Sequence, residues 1–216
     1  MMSNIKEVVS QGLEFAGSVV GLRWGTEEPR FTVLDTVGSG DTKVEIRRYA
    51  DRIAAETTVA ADEDAARNIG FRRLAGYIFG GNDGGAAIAM TAPVTQGSGR
   101  KIAMTAPVAQ QGGDRSTIRF FMPSKWTMDT LPRPNDERVA LVEVPGEIVA
   151  VLRFSGDRSP AEVARRTSAL RAALTGSGYQ PVGEPVAWFY DPPFTLPFRR
   201  RNEVVLPVSG SPATSR

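Results

Sequence analysis

The chain has 216 residues, 41% of them hydrophobic and 23% charged, a balance ordinary for a globular protein of one large domain or two small ones. It contains no cysteine and no histidine, which excludes disulfides, thiolate nucleophiles, Cys-zinc sites, Ser-His-Asp triads, His-Glu metalloprotease sites and any His-ligated or thioether-linked haem. Net charge is only +2, and 22 of the 26 basic residues are Arg, a type suited to bidentate contact with carboxylates or phosphates.

Residues 3–21 carry Ile5, Val8, Val9, Leu13, Ala16, Val19 and Val20, largely at helical spacing, with Lys6, Glu7, Gln11 and Glu14 between them. Glu14 and several glycines rule out a membrane span, and there is neither a basic n-region nor an unbroken apolar stretch for a signal peptide. The expectation is an N-terminal helix with a linker to residue 30, which packs on the body or mediates a protein partner or self-association. A cytoplasmic location is the expectation. Residues 31–34, 43–49 and 53–59 read as strands. Asp62-Glu63-Asp64 then opens a helix, because acidic residues suit a helix N-terminus. Phe71, Leu74, Ala75 and Ile78 form its i, i+3, i+4, i+7 stripe. Gly70 and Gly76 interrupt it at about 1 kcal/mol each relative to Ala, which points to something packed close against the helix backbone. Gly80-Gly81 ends the helix and Asn82-Asp83-Gly84-Gly85 turns the chain.

Ile-Ala-Met-Thr-Ala-Pro-Val then occurs twice, at 88–94 and 102–108, with the copies 14 residues apart. Ile88, Met90, Ala92 and Val94 alternate with Ala89, Thr91 and Pro93, the period of a half-buried strand. The linker contains Gly97-Ser98-Gly99, which is turn chemistry. The expectation is a β-hairpin whose arms reach an edge, bulge or end at Pro93 and Pro107.

Thr117–Met122 reads as a strand, and 123–137 as a long Pro-containing connection. Strands follow at 139–144 and 148–154 about Pro145-Gly146. Ser159-Pro160-Ala161-Glu162 reads as a capping box with Pro at the first helical position. Val163, Thr167, Leu170 and Leu174 run along one face of the helix that follows, and Gly176 and Gly178 stop it. Strands 186–190 and 203–208 complete the pattern. Each half, about 31–122 and 138–208, therefore reads as strand, strand, helix, strands. Val44, Ile46 and Ile53 precede Val139, Leu141 and Ile148 by 95 residues, as a diverged duplication would give. The fold class is α+β: a distorted β-barrel of two pseudo-symmetric halves with the helices outside, forming a single domain over 31–208. Residues 209–216 read as a disordered tail.

Five segments resemble the SOUL haem-binding protein family. They are Val44-Glu45-Ile46-Arg47-Arg48-Tyr49; the helix end Phe71 to Ile78 before Gly81-Asn82; the Met-Thr-Ala-Pro-Val segments; Tyr190-Asp191-Pro192-Pro193; and Arg200-Arg201-Asn202-Glu203-Val204. The resemblance spans roughly 44–208. It implies the barrel just described and non-covalent binding of haem b or another tetrapyrrole in a cleft. One wall of that cleft would be the apolar helix face Phe71, Leu74, Ala75 and Ile78. The other would be Tyr190, Pro193, Phe194 and Leu196. The family's basic propionate partners fall here at Asn68, Gly76 and near Thr195, so Arg67, Arg72 and Arg199 are the candidate substitutes.

With no His available, an iron ligand would have to be Met90, Met104, Tyr77, Tyr190 or water. Met at strand positions is more commonly core filler, and Tyr in a cleft wall is more commonly a rim residue with a wet hydroxyl. The economical reading is a buffer or carrier that holds the tetrapyrrole by apolar burial. Two other readings stay open. One is a module for a different flat amphipathic molecule, similar to the effector-binding domains of bacterial multidrug regulators. The other is a haem-modifying or iron-releasing enzyme, for which no catalytic residue is evident. Asp62-Glu63-Asp64 is explained by capping, the Gly-rich stretches lack the Lys-Ser/Thr of a phosphate loop, and Arg199-Arg200-Arg201 is too narrow a basic face for nucleic acid. Arg200-Arg201-Asn202-Glu203 is expected to tie the last strand to neighbouring loops.

Overall fold

A computed structural model describes residues 27–98, 115–191 and 195–212. In chain order the elements are β1 (Phe31–Val37), β2 (Val44–Tyr49), β3 (Arg52–Ala60), α1 (Glu63–Ile78), β4 (Val94–Ser98), β5 (Arg115–Phe121), β6 (Ala140–Val144), β7 (Glu147–Phe154), α2 (Pro160–Leu174), β8 (Tyr179–Pro181), β9 (Val186–Phe189) and β10 (Asn202–Gly210). Single-turn 3₁₀ helices occupy Gly40–Thr42 and Pro197–Arg199. The expected N-terminal helix and the second heptapeptide lie outside the described residues.

All ladders are antiparallel and join one sheet in the order β1-β2-β7-β10-β9-β4-β5-β3-β6, with β8 on the end of β10. β2 and β3 are six places apart in that order, yet only Ala50-Asp51 separates them in sequence. Three residue steps span about 10 Å at most, so the sheet must curl until its two ends nearly meet. β6 and β7 repeat the arrangement through Pro145-Gly146, with β7 on β2 and β6 on β3. This is the expected distorted barrel, left open at β1 and β6. The corner is fastened by Gly146 N–H donating to Asp51 Oδ1 (2.6 Å) and by an Arg52–Glu147 ion pair. A Cβ on Gly146 would stand 3.0 Å from the Tyr49 carbonyl oxygen, so a side chain there would crowd the bend.

Strand alternation divides the apolar residues among three cores. Val44, Ile46, Ala150, Leu152, Val204 and Leu206 face outward under α2, against Leu170 and Leu174. Ala55, Ile118 and Phe120 face outward under α1, against Leu74, Tyr77 and Ile78. Tyr49, Ala54, Phe121, Val149, Val151, Trp188, Tyr190 and Val205 face inward and fill the barrel. Both helices thus cover the outer surface, and β9 with its outward Ala187 and Phe189 lies between them.

The helix signals hold in detail. Asp62 caps α1 by accepting from Ala65 N, and Ser159 caps α2 by accepting from Glu162 N. The second cap is not a reciprocal box: Glu162 turns instead to Arg165 and Arg166 on the helix surface, and Asp157 receives the Ser159 N–H. A Cβ on Gly70 would lie 2.4 Å from Ile118 Cγ1, the close approach anticipated there, whereas a Cβ on Gly76 would meet nothing within 4 Å, so the second glycine marks no such contact. Asn82 is buried and donates to the Tyr77 and Ala86 carbonyls while accepting from Ala86 N, so it locks the turn after α1.

The heptapeptide expectation requires correction. Of residues 88–94 only Val94 enters a strand, and the linker residues Thr95-Gln96-Gly97-Ser98, the last two expected in a turn, are the body of β4 between β5 and β9. Ile88 and Ala92 are buried but Met90 is exposed, so the alternation is broken. The segment is held point by point: Ile88 N–H to the Ile78 carbonyl, Ala92 N–H to the Glu27 carbonyl, and the Thr91 hydroxyl to the Phe121 carbonyl. Polar Thr95 and Gln96 tolerate the strand because Gln96 bonds across to α1, donating to the Glu63 carbonyl and accepting from Arg67. β10 continues to Gly210, two residues into the expected tail.

Candidate functional site

Two groups of arginines lie on opposite faces of the same strands. The inward group is built on Glu203, which is fully buried on β10. Its carboxylate accepts from Arg47 Nη1 (3.1 Å), from Arg201 Nε and Nη2 (3.0 and 2.9 Å) and from the Tyr190 hydroxyl (2.6 Å). Arg47 also pairs with Glu45, and Arg201 with Glu28 while its Cζ sits 3.8 Å over the Tyr190 ring. Burial pushes the Glu203 carboxyl up, but the charges of Arg47 and Arg201 and the Tyr190 hydrogen bond outweigh it, and it lies below the usual glutamate value. Burial, reinforced by the Glu203 charge, pushes the Tyr190 hydroxyl well above its ordinary value. Nearby, Arg52 lies under three rings, with its Cζ 4.6, 4.7 and 6.0 Å from Tyr49, Phe121 and Trp188. Its Nε and Nη1 have no hydrogen-bond acceptor, and the ring faces take that place. The interior is therefore packed and its charges are paired.

The outward group lies on the seam between the helices. Arg67 on α1 holds its Cζ 4.6 Å from the Phe189 ring, and Arg158, in the loop before α2, holds its own 5.9 Å from the same ring. Arg67 bonds Asp64 (2.9 Å) and Gln96 (2.7 Å). Arg158 donates to the Asp191 carbonyl at 3.4 Å, and no ion pair joins it among the described residues. Gly156 N–H to the Pro197 carbonyl (2.9 Å) and Arg200 Nε to the Thr195 carbonyl (2.8 Å) draw segment 195–200 to the same place. Burial lowers the Arg67 pKa, partly offset by Asp64. Burial also lowers that of Arg158, where the charges of Arg67 and Arg200 add to the effect and those of Asp64 and Asp191 partly offset it. Directly beside Phe189 in register is Asn202, 1% exposed, whose Nδ2 has no acceptor.

Among the candidate wall residues, Leu74 and Ile78 are buried between α1 and the sheet, Phe71 packs edge-on against Phe120 (5.3 Å), and Ala75 is half-buried. Tyr190 points into the barrel, one residue out of phase with the outward Phe189. Leu196 is exposed, as is Phe198 beside it, while Pro193 and Phe194 lie outside the described residues. The basic candidates are not brought together. Arg67 reaches the seam. Arg72, five residues on and so about 140° around the helix, lines another hollow, and Arg199 sits 5.9 Å over Phe198. Of the iron-ligand candidates, Tyr77 donates its hydroxyl to the Pro132 carbonyl (2.9 Å) and burial pushes it up to about 12. Tyr190 is held by Glu203. Met90 is exposed, and Met104 lies outside the described residues. Arg158 escaped the sequence reading, and Asn202 was not singled out as a site residue. Arg158 stands next to a strong capping signal and Asn202 inside a motif taken as structural, so neither announces a shared site.

Two hollows lie elsewhere. One of about 780 Å³ is lined by Arg72, Arg73, Tyr77 and residues 135–138, and its Arg138 is already paired with Asp136 (2.8 Å). The other, about 560 Å³, has apolar Phe121, Met122, Trp126 and Met128 but also Glu27, Asp51 and Glu143. Its cations are Arg30 and the ring-covered Arg52, so three carboxylates outnumber them. No helix among the described residues is long and apolar enough to cross a membrane.

A family model described as "SOUL heme-binding protein" matches residues 26–207. The chain is similar to heme-binding protein 1 of Bos taurus, with 28% identity over 81% of this chain and 87% of that one. It is also similar to heme-binding protein 2 of Homo sapiens, with 30% identity over 86% and 88%. The fold is shared with the EcmrR C-terminal domain at a TM-score of 0.54 and 11% identity, covering 78% of this chain and 98% of that domain. The chain spans 57% of the longer EcmrR chain in its DNA complex.

Proposed function

The chain belongs to the SOUL haem-binding protein family, and from that premise we propose that it binds haem or a related tetrapyrrole non-covalently, as a buffer or carrier, on the outer seam bounded by α1, the loop before α2 and residues 189 and 195–200. The observation that carries this reading is the Phe189 seam itself, where Arg67 and Arg158 are held over an aromatic floor. Exposed Leu196 and Phe198 continue it with apolar surface. A tetrapyrrole with two carboxylates fits this pairing of apolar area and positive charge. It fits the second hollow less well, since that one is rich in carboxylates.

The tyrosines are hydrogen-bonded and kept protonated, which supports a complex without phenolate ligation. Apolar burial then supplies the affinity: a few hundred Å² at roughly 25 cal/mol per Å² gives several kcal/mol before the costs of association. Iron adds little to such a complex, so haemin and metal-free protoporphyrin IX are expected to bind alike. Parallel absorbance titrations of the purified protein test this. Saturable one-to-one binding of both with similar Kd is the expected result. Absence of saturable binding by either, or a haemin Kd far below that of protoporphyrin, would overturn it.

A further inference from the structure

We infer that Arg67, Arg158 and Asn202 form a site for a single oxyanion group, carboxylate or phosphate, at the seam between the two helices. The inference goes beyond the tetrapyrrole reading and does not depend on it, because it follows from the charges and donors of the seam alone.

Each aspartate near the seam already has a partner. Asp64 takes Arg67 Nη1 at 2.9 Å, and Asp191 takes the Arg201 backbone N–H at 2.6 Å. Asp157 takes the backbone N–H and the hydroxyl of Ser159 at 3.0 and 2.5 Å. Two guanidinium groups nevertheless converge on one ring, Arg67 at 4.6 Å and Arg158 at 5.9 Å, within the field of Arg200. Arg158 has no ion pair among the described residues; its one hydrogen bond there is the long contact to the Asp191 carbonyl, and the Asp64 and Asp191 charges act on it only through space.

The second observation is independent of charge. Asn202 and Phe189 are directly paired across β10 and β9, so their side chains leave the same face side by side. Leaving a buried amide N–H without an acceptor costs about 1–3 kcal/mol. The Asn202 Nδ2 is such a group, beside the ring that both arginines cover. An oxyanion here would receive charge-assisted bonds from the arginines and the missing bond from Asn202. Neither Arg67 nor Arg158 is a ligand the other could replace: one is fixed by α1 and the other by the cap of α2, so the bound group would bridge the two helices.

The test uses the full chain, labelled with nitrogen-15, titrated with sodium phosphate against sodium chloride at matched ionic strength. Expected are saturable shifts of the Asn202 side-chain amide and the Arg158 Nε–H. In Arg158→Gln the phosphate Kd should rise about tenfold or more, with partial rescue in Arg158→Lys. An unchanged Asn202 amide, or equal phosphate binding by wild type and Arg158→Gln, would overturn the site. A second arm compares protoporphyrin IX with its dimethyl ester. Tighter binding of the free acid, with the difference lost in Arg158→Gln, identifies a ligand carboxylate as the oxyanion. Equal binding of acid and ester alongside phosphate shifts assigns the site to free phosphate. If neither porphyrin binds, the tetrapyrrole reading fails and the phosphate result still decides the oxyanion site.

Discussion

The inner and outer faces of β9 and β10 carry the same chemistry to opposite ends. Inside, Arg47 and Arg201 flank Glu203, and each has a further carboxylate in Glu45 or Glu28. Outside, Arg67 and Arg158 flank Phe189 with a single ion pair between them, Arg67 to Asp64. A one-residue step past the end of β9, from Phe189 to Tyr190, crosses from one environment to the other. The lesson is that an arginine over an aromatic ring is structural or ligand-seeking according to whether its charge is neutralised within the fold. Desolvation penalises buried charge strongly, and a fold that leaves such charge unpaired leaves room for a partner.

The largest expected effect lies inside. Glu203→Gln leaves two buried guanidinium groups short of their shared carboxylate and should cost about 3–5 kcal/mol, read by urea unfolding. Near-normal stability would mean that the interior charges are not coupled as described. The pH dependence of stability follows next. The Glu203 pKa is depressed in the folded state, so its contribution is present above the unfolded glutamate value near 4.3 and is lost as pH falls through the folded value. Tyr190 is raised, so its contribution is present below about pH 10 and is lost as pH rises through the folded value. Stability should hold a plateau between those limits, with Glu203→Gln flattening the acid limb and Tyr190→Phe the alkaline one. Tyr190→Phe removes a hydrogen bond to a charged group and should cost about 1.5–3 kcal/mol at neutral pH. The smallest effect is on the seam: Arg158→Gln should change stability by no more than about 0.5 kcal/mol, or raise it slightly, since no ion pair is broken. A large loss there would mark Arg158 as a structural residue.

Much of this was legible in the sequence, for reasons that differ by residue. Asp62 and Ser159 announce helix starts because capping is local, and Gly70 announces a close contact because glycine is costly in a helix. The barrel was legible through the two strand-strand-helix runs. β4 was not, because Thr95-Gln96-Gly97-Ser98 has turn composition and becomes a strand only through β5 and β9 on either side. The stripe Phe71, Leu74, Ile78 was correctly seen as apolar, but periodicity gives a face and not what lies against it, which here is Ile118 and Phe120. The seam joins residues at 67, 158, 189 and 202, and only the curl of the sheet brings these together.

The most direct test of the contrast is to locate a bound porphyrin. Metal-free protoporphyrin IX, added to nitrogen-15-labelled protein, should shift the Phe189 amide and the Nε–H signals of Arg67 and Arg158. The indole N–H signals of Trp188, inside the barrel, and Trp126, in the carboxylate-rich hollow, should stay in place. Shifts of either indole with an unchanged seam would put the ligand elsewhere and contradict the account.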